Sequence, residues 1–393
     1  MRSGNRQLIR DINRSLVLNL VKNHGPISRT DIARMSGLGL STVSGIMRAL
    51  LNAGLIYEVA SGESSGGRRP ILLSVDPKAG YAIGLKLTES EVIMALTDLD
   101  AEVLQREIVP VHGAREPSEY IEQVGHAIDG LMAASGVAPE KLMGIGVGLS
   151  GFIDHESGTC RYSAILDWRG VPLQNEMEAR FDVPVLVDND VNTLTQFEAM
   201  FGSGQGIQNF LVVTIGRGVG LGTVVHGRVY RGSQGGAGEF GHTTVQEDGP
   251  LCSCGKQGCL EALVAEPALV AQAQAAGLED ALPIGEHLTP ASLARLASEG
   301  NEVARTIYGR AGHVLGVSLA NLVNLFNPAC VIISGEGARA GEHLFGPTRE
   351  TLEAHLFNGL GDALQLVVEP LADDAWARGA ASLVLSEVFS PPV

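Results

Sequence analysis

The feature that most constrains this chain is a unit that recurs along its last three quarters. A short, unbroken apolar run leads into a polar or glycine-rich loop, and then into a stretch with helical periodicity. Residues 143–149 (MGIGVGL) end at Ser150-Gly151, and residues 183–187 end at Asp188-Asn189-Asp190. Residues 210–215 enter the loop Gly216-Arg217-Gly218-Val219-Gly220-Leu221-Gly222, and residues 330–333 enter Ser334-Gly335-Glu336-Gly337. Continuous apolar runs of this length are strands covered on both faces, as in parallel sheets. Further strands are expected at 81–87, 91–96 and 103–110, and helices at 118–135 and 376–385. The unit implies an α/β fold of two related lobes around a cleft, with the polar loops facing it. Glycine supplies 50 of 393 residues, in short separated clusters that suit tight turns and close backbone approach.

A chain of 393 residues implies two or three domains, and 45% apolar content supports a large core. No run of about 18 apolar residues is free of polar interruption, which excludes a membrane-spanning helix. The apolar stretch at 314–331 is broken by Asn321, Asn324 and Asn327. The first residues have no apolar core of a secretory signal, and five cysteines make no disulfide framework, so a cytoplasmic location is expected.

Charge divides the chain. The net charge is −16, yet residues 1–78 carry 11 Lys and Arg against 5 Asp and Glu, a net of +6. The remaining residues carry 17 against 39, a net of −22. A small basic module joined to a large acidic one points to nucleic-acid contact confined to the N-terminal end.

Within that module, Leu8, Ile9, Ile12, Leu16, Leu20 and Val21 fall at helical spacing over 6–23, and Gly25-Pro26 ends the helix. Ser28 three residues before Asp31 predicts a capped helix over 29–35, stopped by Gly37. A third helix opens at Leu40 or Ser41, with Val43, Ile46, Met47, Leu50 and Leu51 inward and Gly54 as its stop. Two helices across a short glycine-containing turn form a helix-turn-helix signature. Apolar runs at 55–60 and 70–75 flank a basic tip with Arg68 and Arg69, which reads as a wing. Ser41, Thr42, Ser44 and Arg48 would then face the major groove, and Arg68 and Arg69 a neighbouring minor groove. The alternatives stand beside this: a three-helix packing module with solvated arginines, Ser41 as a helix N-cap, Arg48 as a phosphate contact only.

Four elements carry a family resemblance: Asn189-Asp190, the 216–222 loop, Glu239-Phe240-Gly241-His242, and Cys252-Ser253-Cys254-Gly255-Lys256-Gln257-Gly258-Cys259-Leu260-Glu261. On these the chain resembles the ROK family of repressors, open reading frames and sugar kinases over nearly its whole length. The N-terminal winged helix matches the repressor branch. The resemblance implies a winged helix-turn-helix followed by a two-lobed, actin-like (ribonuclease H-like) sugar-kinase fold. The expected divisions are 1–78 for DNA binding, 79–190 for lobe 1 and 191–373 for lobe 2, with the helix at about 374–393 returning to lobe 1.

Three of the five cysteines lie within eight residues as Cys-x-Cys-x4-Cys, and His242 lies ten residues before Cys252. One imidazole and three thiolates make a closed tetrahedral set, so His242, Cys252, Cys254 and Cys259 are expected to bind a structural Zn2+. The alternatives are a redox pair or unrelated core thiols. Cys160 and Cys330 are expected to be ordinary buried thiols.

Sugar recognition needs several polar side chains that each bridge two hydroxyls, and Asn189, Asp190, Glu239, His242 and Glu261 supply them. The resemblance implies that Asp190 matches the general base of the kinases, and that Glu239, His242 and Glu261 match residues holding the ring. Taken alone, Asp190 also reads as a helix N-cap and the two glutamates as solvated carboxylates. Ser150-Gly151 would add backbone contacts.

The kinases of the family carry an Asp-x-Gly-x-Thr loop after the first strand. Here Lys86 stands at the Asp and Thr88 at the Gly, so both the Mg2+ ligand and the room for phosphate are lost. Arg217 replaces a small hydroxyl residue in the second glycine loop, and Glu336 brings a negative charge to the 335–337 loop. The expected function is therefore not enzymatic. It is a sugar-responsive transcriptional regulator, a repressor of carbohydrate uptake or catabolism genes. It would bind double-stranded operator DNA as a homodimer or dimer of dimers, with a sugar or sugar-phosphate effector between the lobes. The rival readings are an ATP-dependent sugar kinase with an appended DNA module, and a regulator controlled by a protein partner.

Overall fold

The computed structural model describes residues 6–61, 70–113, 116–372 and 374–389. Helix α1 (Arg6–His24) is followed by the short strand β1 (Ile27–Ser28), α2 (Arg29–Ser36) and α3 (Leu40–Asn52). The Ser28 side chain accepts from the Asp31 amide, and Gly37 closes α2 in the left-handed region at φ 69°. Such a capped start stabilises a short helix by about 1 kcal/mol. Gly39, not Ser41, stands at the N-cap of α3, and no side chain caps it. Strands β2 (Ile56–Ser61) and β3 (Ile71–Val75) pair antiparallel, and β1 adds to the far side of β3. The helix order and the two wing strands agree with the sequence pattern. The apolar stripe of α1 agrees only in part: Val21 is buried, but Ile9, Ile12 and Leu16 are exposed, and Val17 and Leu18, outside that stripe, are buried. A stripe of period 3.6 fits several adjacent faces, and packing on β3 selects the one near the C-terminal end.

Strands β4 (Tyr81–Leu87), β5 (Glu91–Thr97) and β6 (Val103–Pro110) form an antiparallel meander. Helix α4 (Pro117–Ser135) leads to β7 (Leu142–Leu149), parallel to β4. A small sheet of β8 (Phe152–Asp154), β9 (Thr159–Ser163) and β10 (Trp168–Val171) follows, then α5 (Leu173–Glu178), β11 (Val185–Asn189) and α6 (Asp190–Met200). The main sheet runs β11-β7-β4-β5-β6, with β11 parallel to β7.

Strands β12 (Phe210–Ile215), β13 (Val219–Val225) and β14 (Arg228–Val229) form a second meander. After α7 (Glu261–Val264), α8 (Glu266–Ala275), α9 (Pro290–Ser298) and the long α10 (Glu302–Phe326) comes β15 (Cys330–Ser334). Helix α11 (Glu342–His355) then leads to β16 (Gln365–Val368), and the chain closes with α12 (Ala375–Phe389). The second sheet runs β14-β13-β12-β15-β16, with β12, β15 and β16 parallel. The two sheets therefore share one connectivity: an antiparallel meander of three, then two parallel strands added beside its first.

The glycine loop expected at 216–222 is mostly strand. Gly220 and Gly222 pair with Thr214 and Val212 in register, so only residues 216–218 turn. The strand ahead of Asp190 starts and ends two residues later than expected and carries Asp188 and Asn189 as its last members.

The chain divides into two compact units. One comprises residues up to Phe197 together with those from Trp376, and the other Glu198–Ala375. In the first unit α12 lies directly on the sheet. A Cβ at Gly84 or Gly146 would run into the backbone of Ala377 or Ala380. Cys160 and Cys330 are fully buried, and burial pushes each thiol up to about 11. No helix among the described residues is long and apolar enough to cross a membrane.

Candidate functional site

In the first unit the parallel strands β7 and β11 end side by side, which brings Ser150-Gly151 next to Asn189. The Asn189 amide donates to the Gly151 carbonyl at 3.0 Å, and its oxygen accepts from the Val191 amide at 2.9 Å. Asp190 opens α6 and is 7% exposed. One carboxylate oxygen accepts from the Val191 amide at 2.9 Å, and the other is bound by the Lys86 ammonium. Lys86 reaches it from β4, and the Trp376 ring at the start of α12 lies 4.6 Å from the same nitrogen. Beneath them Asp188, 1% exposed, accepts from the Asn189 amide at 2.8 Å and the Asn192 side chain at 3.0 Å. His155 Nδ1 lies 3.6 Å from its other oxygen.

Asn189 and Asp190 were legible as a motif, but their partners were not. Lys86 had one sequence signal: it is the lone charge in an otherwise apolar run, Tyr81–Leu87. A lysine there must meet an anion or reach water.

In the second unit, Glu239 caps a short 3-10 turn that ends at His242. Cys252, Cys254 and Cys259 fold back against it through isolated bridges between Thr244 and Cys259 and between Leu251 and Gln257. The ligand atoms of His242, Cys252, Cys254 and Cys259 all lie within 4.8 Å of one another, so the four form a cluster that could hold a metal ion. The Cys254 and Cys259 sulfurs are 3.7 Å apart, and His242 Nδ1 is 3.5 Å from the Cys252 sulfur. The edge of a tetrahedron around an ion with bonds of about 2.3 Å is about 3.8 Å, so the spacing fits. Nε2 of His242 faces Glu239 at 3.9 Å.

Glu261 opens α7 beside this cluster. It accepts from the Val219 amide at 3.2 Å and from the Ser253 hydroxyl at 3.0 Å. It therefore ties the β12–β13 turn to the cysteine loop, a role that spacing alone did not suggest. Glu239 is exposed.

On the N-terminal module, Val43, Met47 and Leu50 are buried and seat α3, leaving Ser41, Thr42 and Arg48 exposed and Ser44 half-buried. Arg68 and Arg69 lie outside the described residues.

Thr88 closes the β4–β5 turn, its hydroxyl donating to the Glu91 carbonyl at 2.8 Å. In the second unit a cavity of about 480 Å3 is lined by apolar residues, among them Ile215, Leu269 and Leu344, and by Glu266, Glu336 and Arg339. Burial, reinforced by the nearby Glu336, raises the Glu266 carboxyl above its ordinary range.

Comparison with known proteins agrees with this architecture. Residues 82–387 match the ROK family profile, and residues 10–57 match a winged helix-turn-helix DNA-binding profile. The chain is 32% identical to the xylose repressor of Caldicellulosiruptor bescii, over 99% of each chain. The crystal structure of a ROK family transcriptional regulator, a homolog of the E. coli MLC protein, superposes with a TM-score of 0.86 at 26% identity, covering 97% of both chains. A ROK family glucokinase from Streptomyces griseus, solved with glucose and AMPPNP, superposes with a TM-score of 0.67 at 28% identity. It covers 77% of this chain and 99% of the kinase. The fold is thus a winged helix-turn-helix followed by the actin-like fold of sugar kinases.

Proposed function

The chain belongs to the ROK family, and from that premise we propose that it is a sugar-responsive DNA-binding transcriptional regulator, a repressor of carbohydrate uptake or catabolism genes. One observation carries this reading. A winged helix presents Ser41, Thr42 and Arg48 outward, ahead of a kinase-like fold in which Lys86 occupies the Asp190 carboxylate. The former supports operator recognition by Ser41, Thr42, Ser44 and Arg48, with Arg68 and Arg69 on the wing. The latter opposes phosphoryl transfer, because a carboxylate bound by an ammonium is a poor general base and a lysine cannot bind Mg2+. We therefore read the protein as a non-enzyme.

Asn189, Asp190, Glu239, His242 and Glu261 are our effector residues, each offering acceptors suited to sugar hydroxyls. His242, Cys252, Cys254 and Cys259 would hold Zn2+ with no open position. The ion would supply a fixed fold for the cysteine loop and no catalysis. Nε2 of His242 stays available to orient Glu239 or a sugar hydroxyl. A homodimer or dimer of dimers in the cytoplasm would set two recognition helices on a two-fold operator. The sugar releases DNA only to the extent that it prefers the non-binding state.

The test is fluorescence anisotropy on DNA from the protein's own upstream region, at fixed salt, with and without a sugar panel. Tight binding released by one sugar supports the reading. Tight binding indifferent to all sugars transfers control to a protein partner, and no binding to DNA removes the proposal.

A further inference from the structure

Lys86 does more than replace a lost metal ligand. Its ammonium has three N–H donors and no acceptor. One is spent on Asp190, and the Trp376 ring face supports the positive charge from 4.6 Å. Of the Asp190 oxygens, one takes the Val191 amide and the other takes Lys86. Each oxygen keeps a lone pair. A charged donor and a charged acceptor therefore stand side by side at the end of β11, both nearly buried, with 13% and 10% of their side chains exposed. A hydroxyl is the group that satisfies both at once: its oxygen accepts from the ammonium and its proton goes to the carboxylate.

Charge at the same place narrows the choice. The charged and titratable groups here include the carboxylates of Asp188 and Asp190, the ammonium of Lys86 and the imidazole of His155. The Lys86 ammonium is already paired with the Asp190 carboxylate, so an anion here would have to share that cation with a carboxylate. A phosphate or carboxylate meeting Lys86 would lie against the Asp190 carboxylate, and with both side chains nearly buried the repulsion is weakly screened.

We propose that Lys86 is an effector-binding residue, and that the Lys86–Asp190 pair restricts the group it meets to an uncharged hydroxyl. The effector is then a free sugar, or one whose charge lies away from this pair. This inference rests on the sugar-effector reading above and refines it.

The test is isothermal titration of the full-length protein with glucose, xylose and N-acetylglucosamine, and with glucose 1-phosphate, glucose 6-phosphate and N-acetylglucosamine 6-phosphate. At least one neutral sugar should bind, and its phosphate carrying charge at the position that meets Lys86 should bind at least tenfold more weakly. Lys86→Met should weaken the neutral sugar at least tenfold. Because that variant strands a buried carboxylate, Lys86→Met with Asp190→Asn serves as the fold control. It should melt like the wild type and still fail to bind. A preference for every phosphate over its parent sugar, or undiminished affinity in folded Lys86→Met, overturns this inference and leaves the sugar reading intact. Silence toward all six compounds from a folded, DNA-binding protein removes the sugar reading, and this inference with it.

Discussion

The side-chain amide of Asn19, in the first helix, donates to the backbone carbonyl of Phe389, 370 residues later in the last. One turn along α1, the Lys22 ammonium sits 4.5 Å from the centre of the Phe389 ring. The basic N-terminal module is thus fastened to α12. At its other end α12 carries Trp376, which touches Lys86. One helix therefore contacts both the DNA-binding module and the Asp190 pair.

Lys22 makes this contact depend on pH. Burial lowers its pKa to about 8 from an ordinary 10.5, and Asp100 only partly opposes the shift. Between those values the unfolded chain holds more protons than the folded one, so folded stability rises with pH across that window. Below about 8 the folded state buries the full charge and gains nothing. The thermal midpoint, compared at pH 8 and pH 9.5, should therefore rise by a few degrees more in the wild type than in Lys22→Met. An equal rise in both would mean that Lys22 keeps its solvent.

The seating of α12 on the sheet predicts a contrast between two glycines. At Gly146 an added methyl meets the backbone carbonyl of Ala380, which cannot swing aside. Gly146→Ala should cost about 3 kcal/mol, the upper end for overpacking. Gly309 lies inside α10 with open space around it. Gly309→Ala should stabilise by about 0.5–1 kcal/mol through helix propensity alone. Urea unfolding of both variants decides, and a neutral Gly146→Ala would show that α12 can lift.

Some of this was legible and some was not, for physical reasons. The strands β4, β7, β12 and β15 are largely covered on both faces, so each shows as a mainly apolar run, broken in β4 by Lys86. The cluster of His242 with three cysteines was legible because three of its members lie within eight residues and the fourth ten residues earlier. Strand β13 was hidden because Gly220 and Gly222 read as a loop, although extended backbone pairs there without a break. The partnership of Lys86 with Asp190 spans 104 residues. Sequence could show that Lys86 needed an anion, but choosing among 44 acidic residues required the sheet order that sets β4 beside β7 and β7 beside β11.

Metal removal should act locally. Cys254 is the exposed member of the cluster, and Gly255 and Gly258 turn the chain around it in the left-handed region. Cys254→Ser should lose stoichiometric zinc in metal analysis. Hydrogen exchange should quicken over 242–261, with the first unit unchanged. Chelation of the wild type should reproduce the pattern. Full zinc content in Cys254→Ser would reject this ligand set.

Arg48 tests the DNA face. It is exposed on α3, one turn beyond Ser44, and is not among the buried residues that seat the helix. Arg48→Ala should therefore leave the melting temperature unchanged while weakening operator binding. If Arg48 meets a phosphate, affinity falls about equally on specific and random DNA, and the slope of log K against log salt becomes shallower by about one unit. If it meets a base edge, the loss is confined to the operator, on the order of 1–3 kcal/mol, and the slope barely moves. Unchanged affinity on both DNAs would place α3 outside the groove, and with it Ser41 and Thr42.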